Sequence, residues 1–261
     1  MLKRLVGVIC VRNGWAVQSI GYNRYLPIGR PDVVAENLDR WFLDEILVVC
    51  IDRTTRKLGP DFDTLERIGE RALMTPLAYA GGVSSAEQAT RLVKLGADRI
   101  GLEHVFTNAP EASREIRDAI GVQAMIRALP LEICADGGLL AYNYLTRKAH
   151  PFDPTSLGDG NDALFSELMV IDRKGDGGIT SFDTRLLLPF TDLPHQLIAF
   201  GGITSKSQVQ NLLALPVVSA VAVGNSLNYR ELANRDLINP TDMHDTRKTS
   251  LGEQSRGARQ W

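Results

Sequence analysis

The chain alternates short apolar runs with segments whose apolar residues recur every three to four positions, the signature of strands followed by helices. Leu5–Val11 is a strand-like run. Asn13-Gly14, the strongest hairpin-turn dipeptide, follows it, and Trp15–Ile20 returns as a second arm. Pro31 opens a helix with apolar Val34, Leu38, Trp41 and Phe42 at helical spacing. Ile46–Ile51 is continuously apolar, as suits a parallel strand buried on both faces. Asp63 with Glu66 predicts an N-cap and capping-box pair ahead of Leu65, Ile68 and Ala72. Leu77–Ala80 is the next strand, and Ser84 or Ser85 caps a helix carrying Ala89, Leu92 and Val93. Ile100–Leu102 is a short strand, Asn108 and Pro110 start another helix, and Ala124–Ala128 is a fifth strand.

From Leu131 to Leu164 the pattern weakens, although Cys134–Tyr144 fits an extra hairpin turning at Gly137-Gly138. It resumes with the strand Leu168–Ile171, a Gly-rich loop (Gly175 to Gly178) and a helix around Thr184–Leu188. The strand Gln196–Phe200, a Ser205-capped helix with Val209, Leu212 and Leu213, and a last strand Val217–Val223 complete the series. Residues 1–237 are expected to form one domain, and the polar, mixed-charge stretch 238–261 a mobile tail.

A repeat organises these elements. Ile51-Asp52-Arg53 recurs as Ile171-Asp172-Arg173, Phe62-Asp63-Thr64 as Phe182-Asp183-Thr184, and Gly81-Gly82-Val83-Ser84-Ser85 as Gly201-Gly202-Ile203-Thr204-Ser205, each 120 positions on. That period is too long for a solenoid unit. Eight strands alternating with helices, in two similar halves, predict an α/β fold: a single closed (β/α)8 TIM barrel built from two half-barrels.

Composition changes this picture little. A net charge of −2 in 261 residues gives no footprint for nucleic acid or an anionic membrane. No apolar stretch reaches the roughly 18–20 residues of a membrane span, and Met1-Leu2-Lys3-Arg4 leads into no signal-peptide pattern. Cys10, Cys50 and Cys134 sit in or beside apolar runs without metal-ligand spacing, so they read as buried thiols in a reducing cytosol. A cytoplasmic protein without metal or cofactor is expected.

Chemistry in such a barrel sits where strands end and helices begin. Both Gly-Gly pairs lie there, and Gly224-Asn225 follows the last strand. Glycine lets backbone N–H groups approach an anion, so Gly82, Gly177, Gly201, Gly202, Gly224 and Asn225 are candidate phosphate-binding positions. The alternative is that Gly-Gly merely turns a strand tightly into a helix.

Arg4-Leu-Val-Gly-Val, the Asn13-Gly14 hairpin, Asp44-Glu45, Ala80-Gly81-Gly82, Gly96-Ala97-Asp98-Arg99, Ile171-Asp172-Arg173 and Phe200-Gly201-Gly202 resemble HisF, the cyclase subunit of imidazole glycerol phosphate synthase, over roughly residues 1–235. The resemblance implies a half-barrel-duplicated fold, a HisH glutaminase partner at the N-terminal face, and ammonia passing through the barrel to a bisphosphate substrate. It also implies an Asp ending the first strand and another ending the fifth, as general acid and base. Those positions here hold Cys10 and Pro130, and a third family Asp falls at Cys50. Proline has no ionisable group, and a thiolate between apolar neighbours is disfavoured. The family's substrate-gripping Lys is matched by Gln18, and its Asn-Thr after strand four by Glu103-His104, where Glu103 would repel a phosphate unless paired with His104.

At the opposite end, Arg4, Glu45, Arg99 and Glu167 match the ring of two basic and two acidic side chains that gates ammonia entry in HisF, and Asp98 matches a residue facing the glutaminase. Retained gate and lost acids resemble a HisF-like subgroup linked to surface polysaccharide, in particular lipopolysaccharide, biosynthesis. Its members work with a HisH-like glutaminase and an ATP-dependent amidotransferase to make acetamidino sugars. Tyr25-Leu-Pro-Ile28-Gly29-Arg-Pro31 matches its segment ahead of the first helix. Three readings follow: an ammonia-channelling subunit serving a phosphorylated or nucleotide-sugar acceptor; a true cyclase in histidine biosynthesis with Asp52 or Asp172 recruited; or a phosphosugar isomerase like the related HisA group.

Overall fold

A computed structural model describes residues 2–20, 24–157, 164–178 and 180–228. The first apolar run is β1 (Arg4–Arg12), and Asn13 and Gly14, at φ 50° and 75°, turn it into antiparallel β2 (Trp15–Ile20). A further arm, β3 (Arg24–Gly29), extends the ribbon. Then follow α1 (Pro31–Arg40), β4 (Glu45–Cys50), α2 (Phe62–Gly69), β5 (Leu77–Ala80), α3 (Ala86–Lys94), β6 (Arg99–Leu102), α4 (His104–Asn108), α5 (Pro110–Ile120) and β7 (Met125–Ile133). The chain continues through β8 (Leu139–Asn143), β9 (Lys148–Pro151), β10 (Glu167–Asp172), β11 (Gln196–Phe200), α6 (Lys206–Leu213), β12 (Val218–Val223) and α7 (Asn225–Asn228).

Strands β10, β11, β12, β1, β4, β5, β6 and β7 pair in parallel in that order, and the β7–β10 pairing closes the circle. This is a closed eight-stranded parallel barrel with helices between strands. Alternate strand residues face inward and fill the bore with Val6, Val8, Leu47, Ile126, Met169, Ile198 and Phe200 among small alanines. The other face of each strand packs against the helices through a larger cluster that includes Leu5, Ile46, Leu65, Leu92, Ile116 and Leu168. Burial on both faces explains why strands such as β12 read as continuous apolar runs.

Several local expectations shift. Asp61, not Asp63, caps α2, its carboxylate accepting from Thr64 N; Asp63 falls in the first turn, where a carboxylate favours the helix dipole. Ser85 rather than Ser84 caps α3, and Ser205 with Gln208 completes a full capping box on α6. Phe42 and Ala72 lie past their helix ends at φ 57° and 49°, where the chain reverses toward the next strand. Pro110 opens α5 but Asn108 closes α4. Thr184–Phe190 winds as 3-10 helix around Pro189, which cannot donate to an α-helical ladder.

The fifth barrel strand runs past Ala128 to Ile133 with Pro130 inside it. Proline is accommodated because the β6 ladder ends at Leu102 opposite Arg127, while β8 begins pairing only at Leu131. The 131–164 region holds the expected hairpin, and β9 adds one strand to it. The segment 238–261 lies outside the described residues, as do 229–237.

The repeated glycines have a steric cause. A Cβ on Gly81 would stand 2.3 Å from the Cys50 carbonyl oxygen, and one on Gly201 2.5 Å from that of Asp172. On Gly82 it would meet the Gly59 oxygen at 2.3 Å, and on Gly202 the Thr180 oxygen at 2.4 Å. In both halves the loop after one strand is pressed against the end of the previous one. Gly202→Ala, at φ +70° and against backbone, is expected to lose about 2–4 kcal/mol in urea unfolding; a wild-type midpoint would show that the loop yields.

Candidate functional site

The N-terminal end of the barrel is closed by charge. Arg4, Glu45, Arg99 and Glu167 are the first residues of β1, β4, β6 and β10, and all four meet at the barrel axis. Arg4 donates to Glu45 Oε2 at 3.0 Å and to both Glu167 oxygens at 2.5 and 2.7 Å. Arg99 forks onto Glu45 at 2.8–2.9 Å and also donates to Glu167. The carboxylates are 4% and 6% exposed, so each depends on the guanidinium groups for the solvation it has lost. Burial alone would raise the Glu167 carboxyl; Arg99 and Arg4, with hydrogen bonds from Arg4 and Ser219, hold it below the usual carboxylate range. For Arg99 burial works the other way, and Glu45 and Glu167 overcome it, keeping the guanidinium charged.

Ser219 is a ring partner that sequence reasoning missed. A register irregularity between β11 and β12 at Leu197/Ile198 leaves Ser219 extra, and such a bulge re-aims a side chain. Its buried hydroxyl lies 2.5 Å from Glu167 Oε1 and 3.1 Å from the Leu197 carbonyl oxygen. Only the bulge, which no residue pattern announces, brings it there.

Exposed apolar side chains stand around this end. Leu2, Phe42 and Met74 are 80%, 70% and 89% exposed and precede β1, β4 and β5, neighbours in the barrel. Asp98 is exposed on the same side, and its carboxylate accepts from Leu77 N at 2.8 Å, so it also ties β5 to β6. Asp44 ties Leu5 N in the same way.

The C-terminal end opens into a cavity of about 910 Å³ whose floor is the bore itself: Ala80, Ala128, Met169, Ile171 and Phe200. Pro130 lies buried at the end of the inward column Ile126, Ala128, Pro130. Cys10 occupies the matching inward position on β1; burial, and then the Asp176 carboxylate, push its thiol up to about 12. Neither supplies an acid or base near neutrality. Cys50 is buried and its thiol is likewise raised, chiefly by burial.

The two carboxylates considered as replacements are occupied. Asp52 accepts from Asn13 N at 3.1 Å and from Arg56 at 3.2 Å, fastening the first hairpin. Asp172 accepts from the backbone N–H groups of Lys174, Gly175 and Asp183 at 2.8–3.0 Å, fastening the loop after β10. Of the glycines, Gly81 and Gly82 line the cavity, and the Gly82 N–H is held by Thr54 Oγ1 at 2.9 Å. Gly177, Gly201, Gly202, Gly224 and Asn225 are not among its described lining residues. Asn225 donates to the Ser19 carbonyl, again fastening the hairpin.

Glu103 and His104 line the cavity without forming the pair considered from the sequence: no hydrogen bond or ion pair joins them. The hairpin adds Tyr142, Tyr144 and Arg147 to the rim. Among the described residues no cluster of three or more His, Cys, Asp or Glu side chains could hold a metal ion, and no helix is long and apolar enough to cross a membrane.

A parallel (β/α)8 barrel with a charged closure at one end and a ligand-sized cavity at the other defines the class. Within it, the model of the histidine biosynthesis protein family matches residues 4–233. The chain belongs to that family, as a HisF-like member. It is similar to the imidazole glycerol phosphate synthase subunit HisF of Exiguobacterium sp., 26% identical over 250 residues that cover 94% of this chain and 96% of that protein. The HisF subunit of Thermococcus gammatolerans is 26% identical over 207 residues, covering 77% and 80%. That of Exiguobacterium sibiricum is 27% identical over 210 residues, covering 78% and 82%.

Removing one acceptor oxygen from Asp172 leaves at least one of these N–H groups without its acceptor, so Asp172→Asn is expected to cost about 2–3 kcal/mol of unfolding free energy. Unchanged stability in urea would instead free that carboxylate for a chemical role.

Proposed function

We propose that this chain is the HisF-like subunit of a glutamine-dependent amidotransferase system, receiving ammonia from a HisH-like glutaminase at its N-terminal face. One observation carries the reading: the four-residue ring is complete, with both carboxylates buried, while the strand ends that would hold the cyclase acids carry Cys10 and Pro130. The bore above the ring is apolar from Val6 and Leu47 to Phe200, and suits a small neutral molecule. An unpaired ammonium ion there would face a desolvation cost of order tens of kcal/mol. Leu2, Phe42 and Met74 around the ring, with Asp98, offer the apolar and charged elements of a protein interface.

The acceptor that fits this pattern is an acetamido sugar. Ammonia would convert it to an acetamidino sugar through a separate ATP-dependent amidotransferase, in the biosynthesis of lipopolysaccharide or another surface glycan. The support for this finer reading is the resemblance of the Tyr25–Pro31 segment and the loss of both acids. The second reading is cyclisation to imidazole glycerol phosphate in histidine biosynthesis; the names of the HisF relatives favour it, and the engaged carboxylates of Asp52 and Asp172 count against it.

Reconstitution with a HisH-like glutaminase separates the two. Stimulated glutamine hydrolysis without turnover of the imidazole precursor is expected, and turnover of that precursor would sink the conduit reading. Arg99→Ala should keep the barrel fold by circular dichroism, at reduced stability, but release several-fold more ammonia to solvent per glutamine hydrolysed. An unchanged ratio would remove the ring from the ammonia path.

A further inference from the structure

The charged ring is uneven in two ways. Around the barrel its members stand one strand apart from β1 to β4, two from β4 to β6, two from β6 to β10, and three from β10 back to β1. Arg4 and Glu167 therefore face each other across the widest arc, past the starts of β11 and β12. The bonding is uneven as well. Arg99 gives three hydrogen bonds to Glu45 and one to Glu167. Arg4 gives two to Glu167 and one to Glu45. The ring is thus two tight pairs, Arg4–Glu167 and Arg99–Glu45, joined by single contacts.

Ser219 enters the wide arc from β12 and is 1% exposed. Its hydroxyl has one proton and two acceptors within reach, Glu167 Oε1 at 2.5 Å and the Leu197 carbonyl oxygen at 3.1 Å. Only one of them can take the proton at a time. A hydroxyl oxygen that turned its lone pairs to a carboxylate at such a distance would be repelled, so the proton goes to Glu167 while the ring is closed. When Glu167 turns away, the Leu197 carbonyl can take the same proton, and no buried O–H is stranded. Above this point the bore continues through Val6, Ile198 and Ala220, whose side chains offer no hydrogen bond.

We propose that Ser219 is the positioning residue of ring opening: it holds Glu167 across the wide arc when the ring is closed, passes its proton contact to Leu197 as the arc opens, and offers its oxygen to an N–H of the entering ammonia. The hold on Glu167 follows from the geometry alone; the identity of the entering molecule rests on the ammonia reading. If the hydroxyl served only to satisfy a bulged strand, the ring would open equally often without it.

The first test uses the full chain by itself. Exchange of the Arg4 guanidinium N–H groups with solvent, followed by nitrogen-15 NMR at neutral pH, reports how often the ring opens. Ser219→Ala should speed that exchange several-fold and leave the backbone amides of β1 exchanging as in the wild type. Ser219→Thr and Ser219→Val share one shape and differ in the hydroxyl, so the Thr variant should exchange more slowly than the Val variant. Unchanged Arg4 exchange in Ser219→Ala, an equal acceleration of the β1 amides, or equal exchange in the Thr and Val variants overturns the proposal. The second test adds a HisH-like glutaminase and the ATP-dependent amidotransferase, where Ser219→Ala should release several-fold more ammonia to solvent per glutamine hydrolysed. If Arg99→Ala raises that release and Ser219→Ala does not, the entry role of Ser219 is overturned and the ammonia reading stands. If neither variant raises it, both fall.

Discussion

Four charged side chains that meet at one end of a barrel, two of them buried carboxylates, can exist only as a set. Arg4, Glu45, Arg99 and Glu167 come from strands spread around the circle, and each would be costly to bury without its two neighbours. Their mutual pairing therefore fixes where β1, β4, β6 and β10 begin relative to one another. In a closed barrel that choice propagates, because alternate residues of each strand are then committed to the bore. Val6 and Val8 above Arg4, Leu47 above Glu45 and Met169 above Glu167 follow from it. The same alternation that places the ring below places Cys10, Glu103 and Pro130 above.

Most of the architecture was legible because it rests on local signals. Apolar runs gave the barrel strands, Ser205 with Gln208 gave a cap, and Asn13-Gly14 gave the hairpin turn. What escaped was set by tertiary partners. Asp61 outcompetes Asp63 as a cap because of where the chain enters the helix, and both residue types fit the rule. The fifth strand reads as ending at Ala128, yet it runs on through Pro130, which sits at a gap between two ladders that only the assembled sheet reveals. The ring itself was readable, since charged residues interrupt apolar runs at their first positions. Ser219 was not, because a bulge directs it inward.

The two ends of the barrel have different constraints. At the N-terminal end, function and stability use the same atoms, so alteration of one ring member harms both. At the C-terminal end the inward strand positions hold Cys10 and Pro130, on which no ion pair depends. Glu103 illustrates how a residue acquires chemistry from its surroundings: burial pushes its carboxyl up to about 7, against the smaller opposing effect of the Tyr144 backbone.

The paired Gly-Gly loops carry a consequence for how duplicated proteins age. Gly81 and Gly201 are each excluded from bearing a side chain by a carbonyl oxygen of the preceding strand end, irrespective of what either half binds. Symmetry of that kind is maintained by sterics and survives changes of trade. Cys10 and Pro130, by contrast, occupy equivalent places 120 residues apart and no longer match. In a molecule with an internal twofold, the shared positions record its ancestry, and the mismatched ones mark where its chemistry has been rewritten.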